Sequence, residues 1–225
     1  MSDPQFHDLR QQMLIPIKEL YEAARLLHGA ADDHCANRHE EAIVKIKKAD
    51  IPELYDWCEE LWGPRGSVDA FKRSPVHRYR DVEGAPPKIK GRKFKYNIPQ
   101  ALKNTVLARD GYFCQFCGIP VILQQAQSVL RKFYGSEIRW GNRNAEKHTA
   151  FQALDLDFDH ILPLSRGGDN SVENLIVACA PCNCGRGNWT LEEVGVLDPR
   201  NHPRQPRSEF KEWDGLTRVL KHRRQ

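Results

Sequence analysis

The chain has 225 residues, 40% of them hydrophobic, and a formal net charge of +4, which suffices to bury a core and organise one or two domains. No secretory leader and no apolar run of about 18 residues stand out, which predicts a soluble, cytoplasmic protein without a membrane partner. Seven cysteines, four of them in metal-ligand spacing, fit a reducing compartment better than a disulfide framework. The charge is uneven: residues 1–75 hold ten Lys/Arg against fourteen Asp/Glu, a net of −4, whereas residues 76–225 carry +8. The surface suited to a polyanionic partner therefore travels with the second part of the chain.

Residues 1–75 read as a mainly helical region. Asp3-Pro4 suits a helix start, and Ile17, Leu20, Tyr21, Ala24 and Leu27 mark one helical face after Pro16. Asp50-Ile-Pro-Glu53 resembles a capping box before Leu54, Cys58, Leu61 and Trp62, with Gly63-Pro64 as the stop. Asp32-Asp33-His34-Cys35 and His39 match no metal-ligand spacing and read as ordinary polar residues. Residues 76–97 change character. Gly84-Ala-Pro-Pro87, then Lys88, Lys90, Arg92, Lys93 and Lys95 among Phe94 and Tyr96, make a basic linker that is either a solvated tether or a phosphate-contacting arm.

Residues 98–190 form the motif-bearing domain. A helix is predicted over Pro99–Arg109 with Leu102 and Val106 inward, and Asp110-Gly111 turns the chain into the first Cys-x-x-Cys pair, Cys114 and Cys117. A long interval follows. It holds an amphipathic helix with Ala126, Val129, Leu130 and Phe133 on one side, and the polar Arg139-Trp140-Gly-Asn-Arg143. This segment either covers the knuckle or touches nucleic acid. Leu154, Leu156 and Phe158 alternate with Asp155, Asp157 and Asp159 as in a half-buried strand. Gly167-Gly168-Asp169-Asn170 gives a wide turn, Leu175–Ala178 a returning strand, and Pro181–Asn188 a helix.

The second Cys-x-x-Cys pair is Cys179 and Cys182. Two such knuckles supply four thiolates for one tetrahedral Zn²⁺, and four soft sulfurs leave no open position, so this zinc is expected to be structural. The fifth thiol beside the knuckle, Cys184, is given no role. Asp159, between the knuckles, and Asn183, directly after the second, offer oxygen ligands that favour a hard cation such as Mg²⁺ or Mn²⁺. An imidazole is suited to accept a proton from water near neutral pH, which makes His160 the candidate general base. Arg166 and Arg186 are either phosphate grips or ordinary surface charges.

Asp159-His160-Ile161-x-Pro163, Gly167-Gly168, Glu173-Asn174-Leu175 and Cys179-x-x-Cys182-Asn183 resemble the HNH endonuclease family over roughly residues 99–190. The resemblance implies an α+β fold: a ββα-metal finger stapled by a four-cysteine zinc site, here preceded by the helical region. It also implies metal-dependent cleavage of nucleic-acid phosphodiesters, DNA first, in a bacterial or phage setting such as defence. By resemblance, Asp159 and Asn183 would hold the catalytic cation, His160 would be the base, and Asn174 would brace the loop and orient the histidine. Asn170-x-x-Glu173 also looks like a capping box, so Asn174 reads equally as a turn residue. The second histidine of the family name is replaced by Asn183, as in the zinc-knuckle branch. An RNA-cleaving enzyme and a non-catalytic, zinc-stapled binding module for nucleic acid or protein stay open beside the DNA nuclease.

Residues 191–225 read as a basic extension. Thr190-x-x-Glu193 can open a short helix, and Phe210, Trp213, Leu216, Val219 and Leu220 predict a last amphipathic one ending in Lys221-His-Arg-Arg224. The acidic N-terminal helices are expected to target or regulate the domain, through a protein partner.

Overall fold

The computed structural model describes residues 13–62, 82–89 and 97–222. The expected features at Asp3-Pro4, at Gly63-Pro64, over most of the basic linker and at the last arginines lie outside the described residues. The order of elements is α1 (Lys18–Cys35), α2 (His39–Lys48), α3 (Glu53–Trp62), α4 (Gln100–Asp110), α5 (Gln124–Tyr134), α6 (Thr149–Ala153), β1 (Leu156–His160), β2 (Leu175–Cys179) and α7 (Ala180–Arg186). β1 and β2 form a two-stranded antiparallel sheet, with Leu156 opposite Cys179 and His160 opposite Leu175. Strand, loop, strand and helix thus follow one another as the sequence predicts, in an α+β fold with a helical N-terminal region.

A two-stranded hairpin is marginal by itself and needs a partner on its face. Here the first knuckle supplies one. Gln115 donates its backbone N–H to the Val177 carbonyl at 2.9 Å, and Asp110 accepts the Val177 N–H on Oδ2 at 2.9 Å. Arg109, at the end of α4, donates to the carbonyls of Val172 and Leu175. The outer edge of β2 is thereby capped by polar groups instead of being left open to another strand.

The helical region packs into the same core as the finger. On α1, the predicted Leu20, Tyr21, Ala24 and Leu27 are buried, and they join one apolar cluster with Leu61, Phe116, Leu156 and Val177. α3 lies against α7 so closely that a methyl on Gly185 would stand 2.9 Å from the Leu61 carbonyl oxygen. The Asp50 carboxylate does not cap α3. It receives Arg139 and both the N–H and hydroxyl of Thr149, so it ties the helical region to the segment before β1.

Three further expectations are corrected. Over 86–89 the linker is docked: Ile89 donates to the Ser165 carbonyl at 2.8 Å, Arg166 donates to the Pro86 carbonyl, and Lys88 lies 4.1 Å from the centre of the Trp189 ring. The last amphipathic helix is two short 3-10 segments, Ser208–Phe210 and Thr217–His222. Gly215 and Leu216 both have positive φ, a conformation that breaks a helix, and a side chain on Gly215 would collide with the Tyr112 ring. Thr190 and Glu193 make both bonds of a capping box, but the turn that follows does not extend into a helix.

Two buried histidines make stability pH-dependent. Burial lowers the pKa of His34, whose Nδ1 meets the Tyr134 hydroxyl at 3.0 Å. Burial also lowers that of His148, against the raising effects of Asp50 and of the 2.8 Å bond to the Ile46 carbonyl. Below the ordinary value of 6.5 the unfolded chain binds more protons than the folded one, so stability falls as pH drops from 6.5 toward the folded pKa values. The histidine contribution is read as the difference in denaturant midpoint between the wild type and the double variant His34→Gln/His148→Gln, which is expected to shift against the wild type between pH 7 and pH 5; Asp155, pushed up to about 7, acts in the opposite sense in both proteins.

Candidate functional site

The cysteine knuckles are built by tight turns. Gly118, at φ +79°, closes the first, with its N–H on the Cys114 carbonyl at 2.7 Å and the Cys114 N–H on the Ile119 carbonyl at 2.9 Å. In the second, the Cys182 N–H donates to Cys179 Sγ at 3.4 Å, where Cys179 is the N-cap of α7. The four sulfurs are buried and lie within 4.8 Å of one another. Cys117 Sγ and Cys179 Sγ are 3.8 Å apart, far too long for a disulfide. A tetrahedron with metal–sulfur bonds of about 2.3 Å has edges of about 3.8 Å, so the set has the dimensions of a tetrathiolate metal site. Two knuckles far apart in sequence are brought together as predicted. Among the described residues no other group of three or more His, Cys, Asp or Glu side chains meets at a metal-binding distance.

His160 ends β1, and its Nε2 stands 2.7 Å from Asn170 Oδ1. With the amide oxygen accepting, Nε2 carries the ring proton and Nδ1 keeps the lone pair. Asn174 braces the loop: its Oδ1 accepts the Leu162 N–H at 2.8 Å, and its Nδ2 donates to the carbonyls of Leu162 and Asp169. The side chain touching the histidine is therefore Asn170, and Asn174 acts on the loop that carries Asn170. Gly168 is required here, because a Cβ would fall 1.8 Å from the Leu162 oxygen and 2.8 Å from Asn174 Nδ2. The sequence offered Asn170 as a helix cap, and nothing in its spacing marked it as a partner of His160.

The acidic side chains of the strand separate into different roles. Asp159 is buried, and its two oxygens accept Arg186: Nε to Oδ2 at 2.9 Å, and Nη2 to Oδ1. Oδ1 also accepts the His160 N–H at 2.7 Å. Asn183 donates from Nδ2 to Asp157 Oδ2 at 3.1 Å. The structure thus places Asn183 beside Asp157, and it engages the expected partner, Asp159, with an arginine. Burial pushes Asp157 above the ordinary carboxylate range, with Asn183 and Lys103 opposing and the charge of Asp159 adding. Asp155, half-buried and next to the charge of Asp157, is pushed up to about 7 by desolvation although Gln124 and Gln127 hydrogen-bond to it. A cleft of about 200 Å³ lined by Gln100, Lys103, Gln124, Asp157 and Phe158 opens beside this row.

Neither arginine read as a phosphate grip is available for one. Arg186 is 1% exposed and, besides Asp159, donates to the carbonyls of His160 and Trp189 at 2.5 and 2.7 Å. Arg166 is buried against Glu193 in a two-pronged pair at 2.6 and 2.9 Å and donates to the Asn188 carbonyl. Both are structural because a guanidinium has five donors in a fixed fork, and buried donors must find acceptors. Cys184 is exposed and outside the thiol cluster.

Removing one partner of the buried Arg186–Asp159 pair leaves an uncompensated charge. Asp159→Ala is expected to cost about 3–5 kcal/mol of unfolding free energy, whereas Asp159→Leu/Arg186→Met should recover much of that loss. Denaturant unfolding of the three proteins measures both. Gly168→Ala should likewise lower the midpoint by forcing the Leu162 carbonyl and Asn174 apart.

No helix among the described residues is long and apolar enough to cross a membrane. No curated protein and no solved structure matches the chain. Residues 147–195 match a family model described as HNH endonuclease, a span that holds β1, the His160 loop, β2, the second knuckle and α7. That match makes the segment carrying His160 and the second cysteine pair similar to the HNH endonuclease family.

Proposed function

We propose that the protein is a metal-dependent endonuclease that hydrolyses phosphodiester bonds in DNA. The observation that carries this reading is the setting of His160, an imidazole whose Nε2 meets Asn170 Oδ1 at 2.7 Å, inside the segment that matches the nuclease family. In this reading Nδ1 takes the proton of the attacking water, a contribution of about 10²–10⁴-fold to rate. Asn174 keeps the loop, and with it Asn170, in place behind the ring. The four thiolates hold a structural Zn²⁺ that pins the finger's open end.

The oxygen donors fit a hard divalent cation, Mg²⁺ or Mn²⁺. Asn183 is one ligand, and Asp157, which it already meets at 3.1 Å, is the carboxylate we assign to it. Cis ligands at about 2.1 Å in an octahedron are about 3.0 Å apart, so turning the Asn183 amide would bring two oxygens to suitable spacing. Asp159, the ligand the sequence resemblance implies, would first have to leave Arg186. When bound, the cation would polarise the scissile phosphate and offset charge on the leaving oxygen.

A second reading has one observation in its favour. Asp159 is committed to a buried arginine, as expected of a zinc-stapled binding module without catalysis. Incubating zinc-loaded protein with supercoiled plasmid, linear DNA, single strands and RNA, with and without Mg²⁺ or Mn²⁺, separates the two. Cleavage of DNA that needs the cation and disappears in His160→Ala is expected. Cleavage of none of these substrates would leave the binding module, and cleavage of RNA alone would change the substrate class. Asp157→Asn should weaken Mn²⁺ binding followed by calorimetry, while zinc content stays unchanged. Cys114→Ser should lose zinc and lower the unfolding midpoint, and a fully folded, zinc-free variant would refute the zinc assignment.

A further inference from the structure

Between the first knuckle and β1 the chain makes a long excursion, residues 118–155, that presents Trp140 to solvent. Trp140 is 40% exposed, and it is the one aromatic among the exposed large hydrophobic side chains of the described residues. The backbone beneath it is anchored on both sides. Arg139 pairs with Asp50 and donates from Nη1 to the Ala145 carbonyl at 2.7 Å, while the Arg139 carbonyl accepts the His148 N–H at 3.1 Å. On the other side, the Arg143 N–H donates to Glu146 Oε2 at 3.1 Å. Gly141 lies so close to Glu146 that a Cβ would stand 2.4 Å from its Oε2. An indole ring is thus held out from a fixed loop.

Cations frame that ring. The Arg131 guanidinium carbon is 3.8 Å from its centre, and Lys147 Nζ is 5.5 Å away. Arg131 Nε is buried and has no hydrogen-bond partner in the structure. Its stem belongs to α5, whose Gln124 and Gln127 hold Asp155 next to the start of β1, the strand that ends in His160. A guanidinium lying over the indole makes a planar, cationic and aromatic pair, and with Lys147 near it this pair suits a ligand with flat π-systems and regularly spaced anions, both of which unpaired nucleotides offer. An acidic peptide would use the cations and leave the indole without a stacking partner. In a duplex the base faces are already stacked on one another.

We propose that Trp140, Arg131 and Lys147 form a stacking platform for an unpaired stretch of the nucleic-acid substrate, outside the catalytic centre. The proposal rests on the nuclease reading for the identity of the ligand as substrate.

The test uses the full zinc-loaded chain without added Mg²⁺ or Mn²⁺, and the anisotropy of short fluorescent DNA, single-stranded or duplex, at several salt concentrations. Trp140→Ala is expected to weaken single-strand binding about tenfold and Trp140→Phe less than about threefold, with a smaller loss on duplex. Arg131→Ala should reduce the salt dependence of single-strand binding. Unchanged single-strand affinity in Trp140→Ala overturns the platform, as does an equal loss on single strand and duplex. Oligoglutamate that competes as well as single-stranded DNA does so too. If cleavage depends on His160 while Trp140→Ala binds as wild type does, only the platform fails. If no substrate is cleaved and Trp140-dependent binding persists, the platform stands and the nuclease reading fails.

Discussion

The geometry of the finger depends on one buried guanidinium. Arg186, the last residue of α7, reaches across to the end of β1 and gives its donors to Asp159, the His160 carbonyl and the Trp189 carbonyl. A charge removed from water costs several kcal/mol unless its partner and remaining hydrogen bonds are well placed. Here they fix helix, strand and exit segment at one point. The peptide that carries His160 is held from both directions: its carbonyl accepts Arg186, and its N–H is bonded to the carboxylate that Arg186 grips. The imidazole inherits that fixity, and Asn170 has only its ring orientation left to set.

That arrangement needs support from outside the finger. β1 and β2 are five residues each, too small a sheet to bury Arg186 unaided. The Phe116 ring, from the first knuckle, lies 5.9 Å from the guanidinium carbon, and Leu61 of α3 closes against Gly185 one residue before it. The acidic helical region therefore forms part of the wall around the site's main buried charge. Leu20, Leu27 and Leu61 share one core with Val177 and Cys179.

What was legible in the sequence follows physical rules that act locally. Apolar period gave the inner faces of α1 and α5, since Leu20, Tyr21, Ala126 and Leu130 are buried where predicted. Thiol spacing gave the cysteine cluster, because the two thiols of a Cys-x-x-Cys turn are close enough to share one metal ion. The partners of charged groups were not legible. Asp159 and Asp157 are the same residue type two positions apart on one strand, and the side chains that distinguish them arrive from α7. Asp50 looked like a helix cap because capping is decided within a few residues. Its actual partners, Arg139 and Thr149, lie 89 and 99 positions away. The broken C-terminal helix was hidden for a similar reason, since Gly215 must clear the ring of Tyr112.

The basic balance of residues 76–225 overstates the positive charge available to a polyanion. Arg166 and Arg186 are neutralised inside the protein, and Arg109, Arg139, Arg200 and Arg218 each hold a carboxylate. An arginine bound in this way contributes to the fold and little to long-range attraction, because the pair is close to neutral beyond a Debye length of about 8–10 Å. Three cations that lie against aromatic rings and hold none of the ion pairs found among the described residues differ: Lys88 on Trp189, Lys103 on Phe158 and Arg131 on Trp140. A π-face attracts a cation without cancelling its charge, so these groups keep their field while their positions are restricted. Lys103 and Phe158 line the cleft beside Asp157. The field that would guide a phosphate backbone is thus set less by net charge than by which cations the fold leaves against rings instead of carboxylates.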